Sequence, residues 1–188
     1  KKIIITGGLG YIGTELCRLY SGVSWHHNIL VIDNRFISER VNQIRNWNME
    51  FIHGDILDRD LVNKYFSNAD VVHHLAGITS VPRTKSESSK EIDDKIKLVA
   101  EEGTQNILNT ISNECKLIFP STHVVYEGIS EVKKDIKENE NTQPVLSYSS
   151  SKAANEKQIK DSRKNYVILR LGSVYGYSND TMLSLIHI

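Results

Sequence analysis

Short apolar runs alternate with longer amphipathic segments along this chain, and the alternation predicts the order of its secondary structure. The apolar runs are rich in β-branched residues and end in glycine, aspartate or polar stretches, which is typical of buried strands. We expect strands at 2–6, 28–33, within 49–55, 70–77, 116–122 and 166–172. Apolar residues at helical spacing predict helices at 11–20, within 56–66, from about 90 to 113 and at 148–165. This order predicts an α/β fold with a doubly wound parallel sheet and helices on both of its faces.

Two polar segments, 79–89 and 127–143, separate these elements, and we expect both to be surface loops. Since neither a repeat nor a linker divides the chain, we expect one domain over 1–182, cut short at its C-terminal side. The last six residues, "LSLIHI" (183–188), match the translation of a sequencing-library adaptor. We therefore expect a non-native tail there rather than the start of a natural strand or helix.

The composition narrows the class of protein without naming a function. The 188 residues carry 23 basic and 23 acidic side chains, so a zero formal net charge gives no reason to expect a nucleic acid or a membrane as partner. Cys17 and Cys115 are too isolated for a disulfide framework, and no apolar run could span a bilayer, so we expect a cytoplasmic protein. The histidines lack zinc spacing, and adjacent His73 and His74 should point to opposite faces of a strand, so no metal site is expected.

A glycine-rich segment, "TGGLGYIG" (6–13), follows the first predicted strand and opens the first predicted helix. Gly7, Gly10 and Gly13 would let the backbone turn sharply and approach a phosphate closely. The N-terminus of the helix would offer free N–H groups and a positive dipole end to a pyrophosphate. A tight turn without a ligand is the alternative, but the strand-to-helix context favours a dinucleotide.

Two aspartates at predicted strand ends are candidates for contacts with the nucleoside. Asp33 ends the second strand about twenty residues after the glycine loop, where a carboxylate accepts hydrogen bonds from the adenosine ribose. A turn-forming role at the strand end is the alternative. Asp55 follows the third strand, where it could flank the adenine or cap the next helix.

Tyr148 and Lys152 are four residues apart in "YSSSK" and would share one face of a helix. A tyrosine has an ordinary pKa near 10, too high for a base at neutral pH. A nearby ammonium should lower that pKa by favouring the phenolate. A surface pair on a helix is the alternative, but the preceding glycine loop and acid favour a catalytic pair.

Together these motifs resemble those of the extended short-chain dehydrogenases/reductases, specifically the NAD-dependent epimerase/dehydratase family of nucleotide-sugar enzymes. The segments that carry the resemblance are "TGGLGYIG", "IDN" (32–34), "GDI" (54–56), "HLAG" (74–77), "GTQNIL" (103–108), "STHVVY" (121–126), "YSSSK" (148–152) and "LRLGSVYG" (169–176). They occur in family order over the first 182 residues.

The resemblance implies a Rossmann-type NAD-binding domain, a nucleotide-sugar substrate and a homodimer for the full-length protein. It implies three catalytic residues, Thr122, Tyr148 and Lys152. The implied contacts with NAD are Gly7, Gly10, Tyr11, Ile12, Gly13, Asp33, Asn34, Asp55, Ile56, Leu75, Ala76, Gly77, Tyr148 and Lys152. The smaller C-terminal part that binds the sugar in this family is missing from the chain, so we expect an N-terminal fragment that is inactive by itself.

Several positions depart from the family pattern and leave the substrate open. They are Glu127 in place of a glycine, Ser173 and Ala100 in place of asparagines, and Thr79 where galactose epimerases carry a lysine. We expect an epimerase. The alternatives are a keto-sugar-nucleotide reductase, a 4,6-dehydratase, which would need an Asp-Glu pair where His123 and Val124 stand, and a non-enzymatic dinucleotide sensor.

Overall fold

A computed structural model describes residues 1–79, 84–131 and 134–176. The predicted tail, 183–188, and the end of the predicted domain lie outside these residues. Within the described parts of the chain, no helix is long and apolar enough to cross a membrane.

The strands form one parallel sheet, as predicted. Their order across the sheet is β3-β2-β1-β4-β5-β6, so the direction of winding reverses between β1 and β4. Such a reversal opens a crevice at the carboxyl edge of the sheet, where doubly wound folds bind their ligands. The strands are β1 (Lys2–Thr6), β2 (Asn28–Asp33), β3 (Glu50–His53), β4 (Val71–His74), β5 (Lys116–Thr122) and β6 (Asn165–Leu171).

The α-helices between the strands of the described residues are α1 (Tyr11–Tyr20), α2 (Ser38–Asn46), α3 (Arg59–Phe66), α4 (Lys90–Thr110) and α5 (Ser147–Asp161). Short 3-10 turns lie at Ser24–His26, Lys85–Glu87 and His123–Tyr126.

Helix α2 was not predicted, because it buries only Val41, Ile44 and the side chain of Arg40. Helix α4 ends before its predicted end, since Ile111 is already extended. Helix α5 ends at Asp161 rather than 165, because Asn165 starts β6.

Two apolar layers cover most of the sheet. On one face, alternate residues of β1 and β2 such as Ile5 and Val31 pack against α1 and α2. On the other face, Ile4, Leu117 and Phe119 pack against α3, α4 and α5. Burial on both faces explains why the central strands are continuous apolar runs rather than alternating ones.

The β6 edge is covered less completely. Ile168 packs against the core beneath α4 and α5, whereas its neighbour Leu169 points to the other face and is 44% exposed. Leu169 pairs in register with Pro120 of β5, and Val167 pairs with Ile118 on the same face. Each of these side chains is only half-buried or is exposed.

Candidate active site

The glycine loop brings β1, α1 and the end of β4 into close contact. Gly7 has a φ of +67°, and a Cβ there would lie 2.8 Å from the backbone nitrogen of Ala76. A Cβ on Gly13 would lie 2.3 Å from the carbonyl oxygen of Gly7 and 2.7 Å from the Cα of Gly8. Since backbone atoms cannot yield as a side chain can, both positions require glycine.

The N-terminus of α1 is open to an anion. The helix begins at Tyr11, after the N-cap Gly10, and neither a side-chain cap nor an acidic residue is present in its first turn. Its first N–H groups and positive dipole end therefore face the carboxyl edge of the sheet uncapped by any side chain. Tyr11 is half-buried and Ile12 is exposed in this first turn. This cradle fits the pyrophosphate of a dinucleotide.

Asp33 lies next to this loop, at the buried end of β2. One carboxylate oxygen accepts a hydrogen bond from the Leu9 backbone at 2.9 Å. The other accepts from the Arg35 backbone at 2.9 Å and from its Nε at 3.3 Å. The carboxylate thus forms the strand-end turn that was considered as an alternative, and it also fixes the glycine loop. Its place beside the loop remains compatible with the predicted ribose contact.

The ends of β2 and β3 are joined by Asn34 and Asp55. The Asn34 amide donates to Asp55 at 3.0 Å, and Asp55 also accepts from the Leu57 backbone at 2.9 Å. Asp55 does not cap α3, because Asp58 accepts from the first N–H groups of that helix. The Ile56 side chain, a predicted cofactor contact, is instead buried in the core, so only its backbone could face a ligand.

The segment after β4, which includes the "LAG" of "HLAG", lies against the glycine loop. The Ala76 backbone donates to the Thr6 hydroxyl at 3.0 Å, and Leu75 and Ala76 pack half-buried against the two apolar layers. Gly77 is exposed, and a Cβ there would meet nothing within 4 Å.

Buried hydrogen bonds run from the end of β4 to helix α5. The His74 ring is 3.1 Å from the Thr6 hydroxyl and, through its other nitrogen, 2.9 Å from the Thr104 hydroxyl. The Asn155 amide of α5 donates to Thr104 at 3.0 Å. Burial, with a smaller contribution from the charge of Lys152, lowers the pKa of His74 to about 3, so its ring is neutral. His73 points the other way, to Tyr20 at 2.9 Å, which confirms the prediction of opposite faces.

Tyr148 and Lys152 lie side by side on α5, as predicted. The Lys152 ammonium is 5.9 Å from the centre of the Tyr148 ring and 4.5 Å from that of Phe119. It donates to the Pro120 carbonyl at 3.0 Å, which attaches α5 to β5. Burial lowers the pKa of Lys152 to about 8.

The prediction that Lys152 lowers the pKa of Tyr148 is wrong for the protein without a bound cofactor. Burial raises the pKa of Tyr148 above its ordinary value instead of the ammonium lowering it. Desolvation of the phenolate therefore outweighs the attraction of the Lys152 ammonium, which lies 5.9 Å from the centre of the ring. A phenolate at neutral pH requires a further positive charge near the ring.

Thr122 ends β5, two residues after Pro120, and begins the 3-10 turn His123–Tyr126. Its hydroxyl accepts from the Val124 backbone at 3.3 Å. Since Lys152 binds Pro120, the strand end that carries Thr122 and the helix that carries Tyr148 are attached at the same edge of the sheet.

An ion pair that the sequence reasoning missed supports this edge from within. The Glu156 carboxylate accepts from the Ser121 hydroxyl at 2.7 Å and from Arg170 of β6 at 2.6 Å. Glu156 follows Lys152 by four residues, so the helical spacing was a signal that could have revealed it. Pro120 carried no such signal, because it contributes a backbone carbonyl.

Within the described residues, no group of three or more His, Cys, Asp or Glu side chains could hold a metal ion. The described positions that depart from the family pattern show no shared location. Thr79 and Ser173 are exposed, whereas the Ala100 carbonyl accepts from Asn155 at 2.9 Å.

Comparisons with known proteins agree with this geometry. The model of the NAD dependent epimerase/dehydratase family matches residues 3–187. A dTDP-D-glucose 4,6-dehydratase of Dictyostelium discoideum is 30% identical over 94% of this chain and 44% of its own length. A UDP-glucose 4-epimerase of Neisseria meningitidis serogroup C is 30% identical over 87% of this chain and 49% of its own length.

Solved structures show the same similarity. The UDP-glucuronic acid 4-epimerase of Bacillus cereus, in complex with NAD, superposes with a TM-score of 0.78 at 26% identity, over 97% of this chain and 60% of that one. The chain spans about half the length of the curated relatives it matches.

Proposed function

The chain belongs to the NAD-dependent epimerase/dehydratase family, and we propose that the full-length protein is an epimerase that inverts one carbon of a nucleotide-sugar through a transient keto-sugar. One observation carries the proposal: Tyr148 and Lys152 are attached to the end of β5, which carries Thr122, at the edge of the sheet where the glycine loop lies. The remaining sugar-binding residues would lie beyond the described residues.

NAD is the cofactor of this family, and the residues present fit it. The uncapped start of α1 and the glycines at 7, 10 and 13 would hold the pyrophosphate. Asp33 and Asn34 would face the adenosine ribose, and Leu75 to Gly77 would line the other half of the dinucleotide. Asp33 favours NAD over NADP because its carboxylate would repel a 2′-phosphate, and Arg35 is already hydrogen-bonded to it.

Tyr148 and Thr122 would perform the proton chemistry. The chemistry that NAD would supply when bound is reversible hydride transfer with the sugar carbon, together with the positive charge of its oxidised ring. Tyr148 would remove the proton from the sugar hydroxyl and give it back on return. Thr122 would orient the reacting oxygen, and the Lys152 ammonium would favour the phenolate. Since burial raises the pKa of Tyr148, the phenolate would form only when the site is loaded.

The dehydratase alternative has support from a relative but not from the site. The dehydratase of D. discoideum is as similar as the epimerase of N. meningitidis. Elimination of water needs its own acid and base, and the positions after Thr122 hold His123, bonded to the Leu171 carbonyl at 3.2 Å, and Val124. Neither is a carboxylate, so we favour epimerisation.

The proposal is tested with the full-length protein, NAD and UDP-glucose, the substrate named for the Neisseria epimerase. Proton NMR follows the sugar while absorbance follows NADH. We expect a second epimer to appear without net NADH. Formation of NADH in step with product would show an oxidoreductase, and a 4-keto-6-deoxy product would show a dehydratase. Titration with NAD and NADP should show tighter binding of NAD.

A further inference from the structure

Glu127 connects the segment after Thr122 to the start of the catalytic helix. It directly follows the 3-10 turn that Thr122 begins. One oxygen of its carboxylate accepts from the backbone of Val145 at 2.8 Å and of Leu146 at 2.7 Å. The same oxygen accepts from the hydroxyl of Ser149, the residue after Tyr148. Three donors around the first turn of α5 thus converge on one side chain from another segment.

The surrounding backbone holds the two segments together on either side. The Gln143 backbone donates to Val125 at 2.8 Å, and the Gly128 backbone donates to Gln143 at 2.8 Å. A Cβ on Gly128 would lie 2.6 Å from the Gln143 carbonyl oxygen, so the backbones of the two segments are in direct contact. Ser149 is itself buried and lies 3.2 Å from the Leu146 nitrogen. The polar loop between Gly128 and Gln143 is therefore closed at its base.

The contacts of Glu127 do little for the core. Its side chain is exposed, and without it the N–H groups of Val145 and Leu146 could bond to water. Burial alone would raise the pKa of Glu127, but the hydrogen bonds from Ser149, Leu146 and Val145 lower it below its ordinary value. The carboxylate is thus ionised at neutral pH, and an anion is favourable at the N-terminus of α5.

We propose that Glu127 is a positioning residue that fixes Tyr148 relative to Thr122. It binds the turn that contains Tyr148 to the segment that begins at Thr122, so the two hydroxyls keep one separation. A misplacement of about 1 Å at a reacting centre can cost on the order of 10²-fold in rate. The inference rests on the proposed function, because it assigns the separation of the two residues proposed to handle the proton.

The test compares Glu127→Ala, Glu127→Gln and the control Glu114→Ala in the full-length protein. Glu114 is exposed before β5, and the described residues give it no hydrogen bond or ion pair. We expect Glu127→Ala to lower kcat by at least about tenfold. The Kd for NAD should stay within about two-fold and the Tm within about 3 °C, because neither the glycine loop nor the core changes. Glu127→Gln should recover much of kcat, since its amide oxygen still accepts both N–H groups.

A double variant, Glu127→Ala combined with Tyr148→Phe, distinguishes a failure of this inference from a failure of the proposed function. In a Tyr148→Phe protein, Glu127→Ala should cause little further loss, because both variants act on the same step. The inference is wrong if Tyr148→Phe loses turnover but Glu127→Ala does not. It is also wrong if Glu127→Ala lowers Tm and NAD affinity together with kcat, which a merely structural role would produce. If Glu127→Ala does not fold, an unchanged kcat in Ser149→Ala, which removes one of the three donors to Glu127, contradicts it. Full turnover by Tyr148→Phe would instead overturn the proposed function.

Discussion

The β1–β3 half of the sheet and the β5–β6 half hold their functional groups by different means. In the first half, both faces are covered and the proposed cofactor cradle is made of backbone, with Gly7 and Gly13 packed directly on neighbouring backbone atoms. In the second half, one face is open at Leu169, and the proposed catalytic groups are held by side-chain contacts of Lys152 and Glu127. A backbone cradle tolerates little change, whereas side-chain contacts can be altered one at a time.

Lys152→Ala should have the largest effect on function, because it should lower both turnover and NAD affinity. This lysine contacts the β5–β6 half of the sheet and is also expected to reach the cofactor. We expect turnover of the full-length enzyme to fall on the order of 10²–10⁴-fold, as for loss of a positioned acid–base group. NAD affinity should fall as well. Steady-state kinetics and NAD titration measure the two effects, and an unchanged Kd would restrict Lys152 to the proton chemistry.

Gly13→Ala should disturb the backbone of the glycine loop and so lower both stability and NAD binding. Its Cβ would lie 2.3 Å from the Gly7 oxygen, so the loop and α1 must separate. We expect a loss on the order of 3 kcal/mol in free energy of unfolding and a loss of NAD binding, measured by denaturant titration and by NAD titration. Gly22→Ala is the control, because a Cβ there meets nothing within 4 Å. Equal behaviour of the two variants would contradict the backbone cradle.

His74 joins the two halves and should make stability depend on pH. Its pKa is about 3 in the folded protein against an ordinary 6.5, so below pH 6.5 the unfolded chain takes up the proton first. Stability that is present above pH 6.5 is thus lost progressively as the pH falls towards 3. Between pH 7 and pH 5 this loss is about 2 kcal/mol.

Denaturant unfolding at the two pH values measures this loss. Between these pH values, His74→Gln should lose less free energy of unfolding than the wild type, and the difference should be about 2 kcal/mol. The exposed control His26→Gln should lose as much as the wild type. If all three proteins lose stability equally, the buried ring of His74 does not determine the acid sensitivity.

The smallest effect should come from the open face of β6. Leu169→Ala should change the free energy of unfolding of the 188-residue chain by less than about 0.5 kcal/mol, because this side chain is already 44% exposed. Leu30→Ala, in the buried sheet, should cost about 2–5 kcal/mol. A comparable cost at the two positions would show that Leu169 is covered in solution.

The sequence predicted the strands and the glycine loop well, because buried parallel strands are continuous apolar runs and a glycine loop has a fixed context. It did not predict α2, since Val41 and Ile44 are too few to form a periodic stripe. Ile56 was assigned to the cofactor from its motif, but Gly103 on α4 leaves room for its side chain in the core.

The side-by-side placement of Tyr148 and Lys152 was predictable from the sequence, but the electrostatics around them were not. The spacing of Tyr148 and Lys152 placed them side by side, yet the balance of burial and charge that raises the pKa of Tyr148 depends on depth in the fold. Glu127 was visible as a departure from the family pattern, but two of its three partners, Val145 and Leu146, contribute only backbone groups.

The central claim is that one half binds NAD while Tyr148 of the other half transfers the proton. The most direct test measures turnover and the NAD Kd of the full-length protein that carries Tyr148→Phe. This substitution removes one hydroxyl and leaves the ring. We predict that turnover falls at least about 10²-fold while the NAD Kd stays within about two-fold. Near-normal turnover by Tyr148→Phe would show that another group carries the proton and would contradict the account.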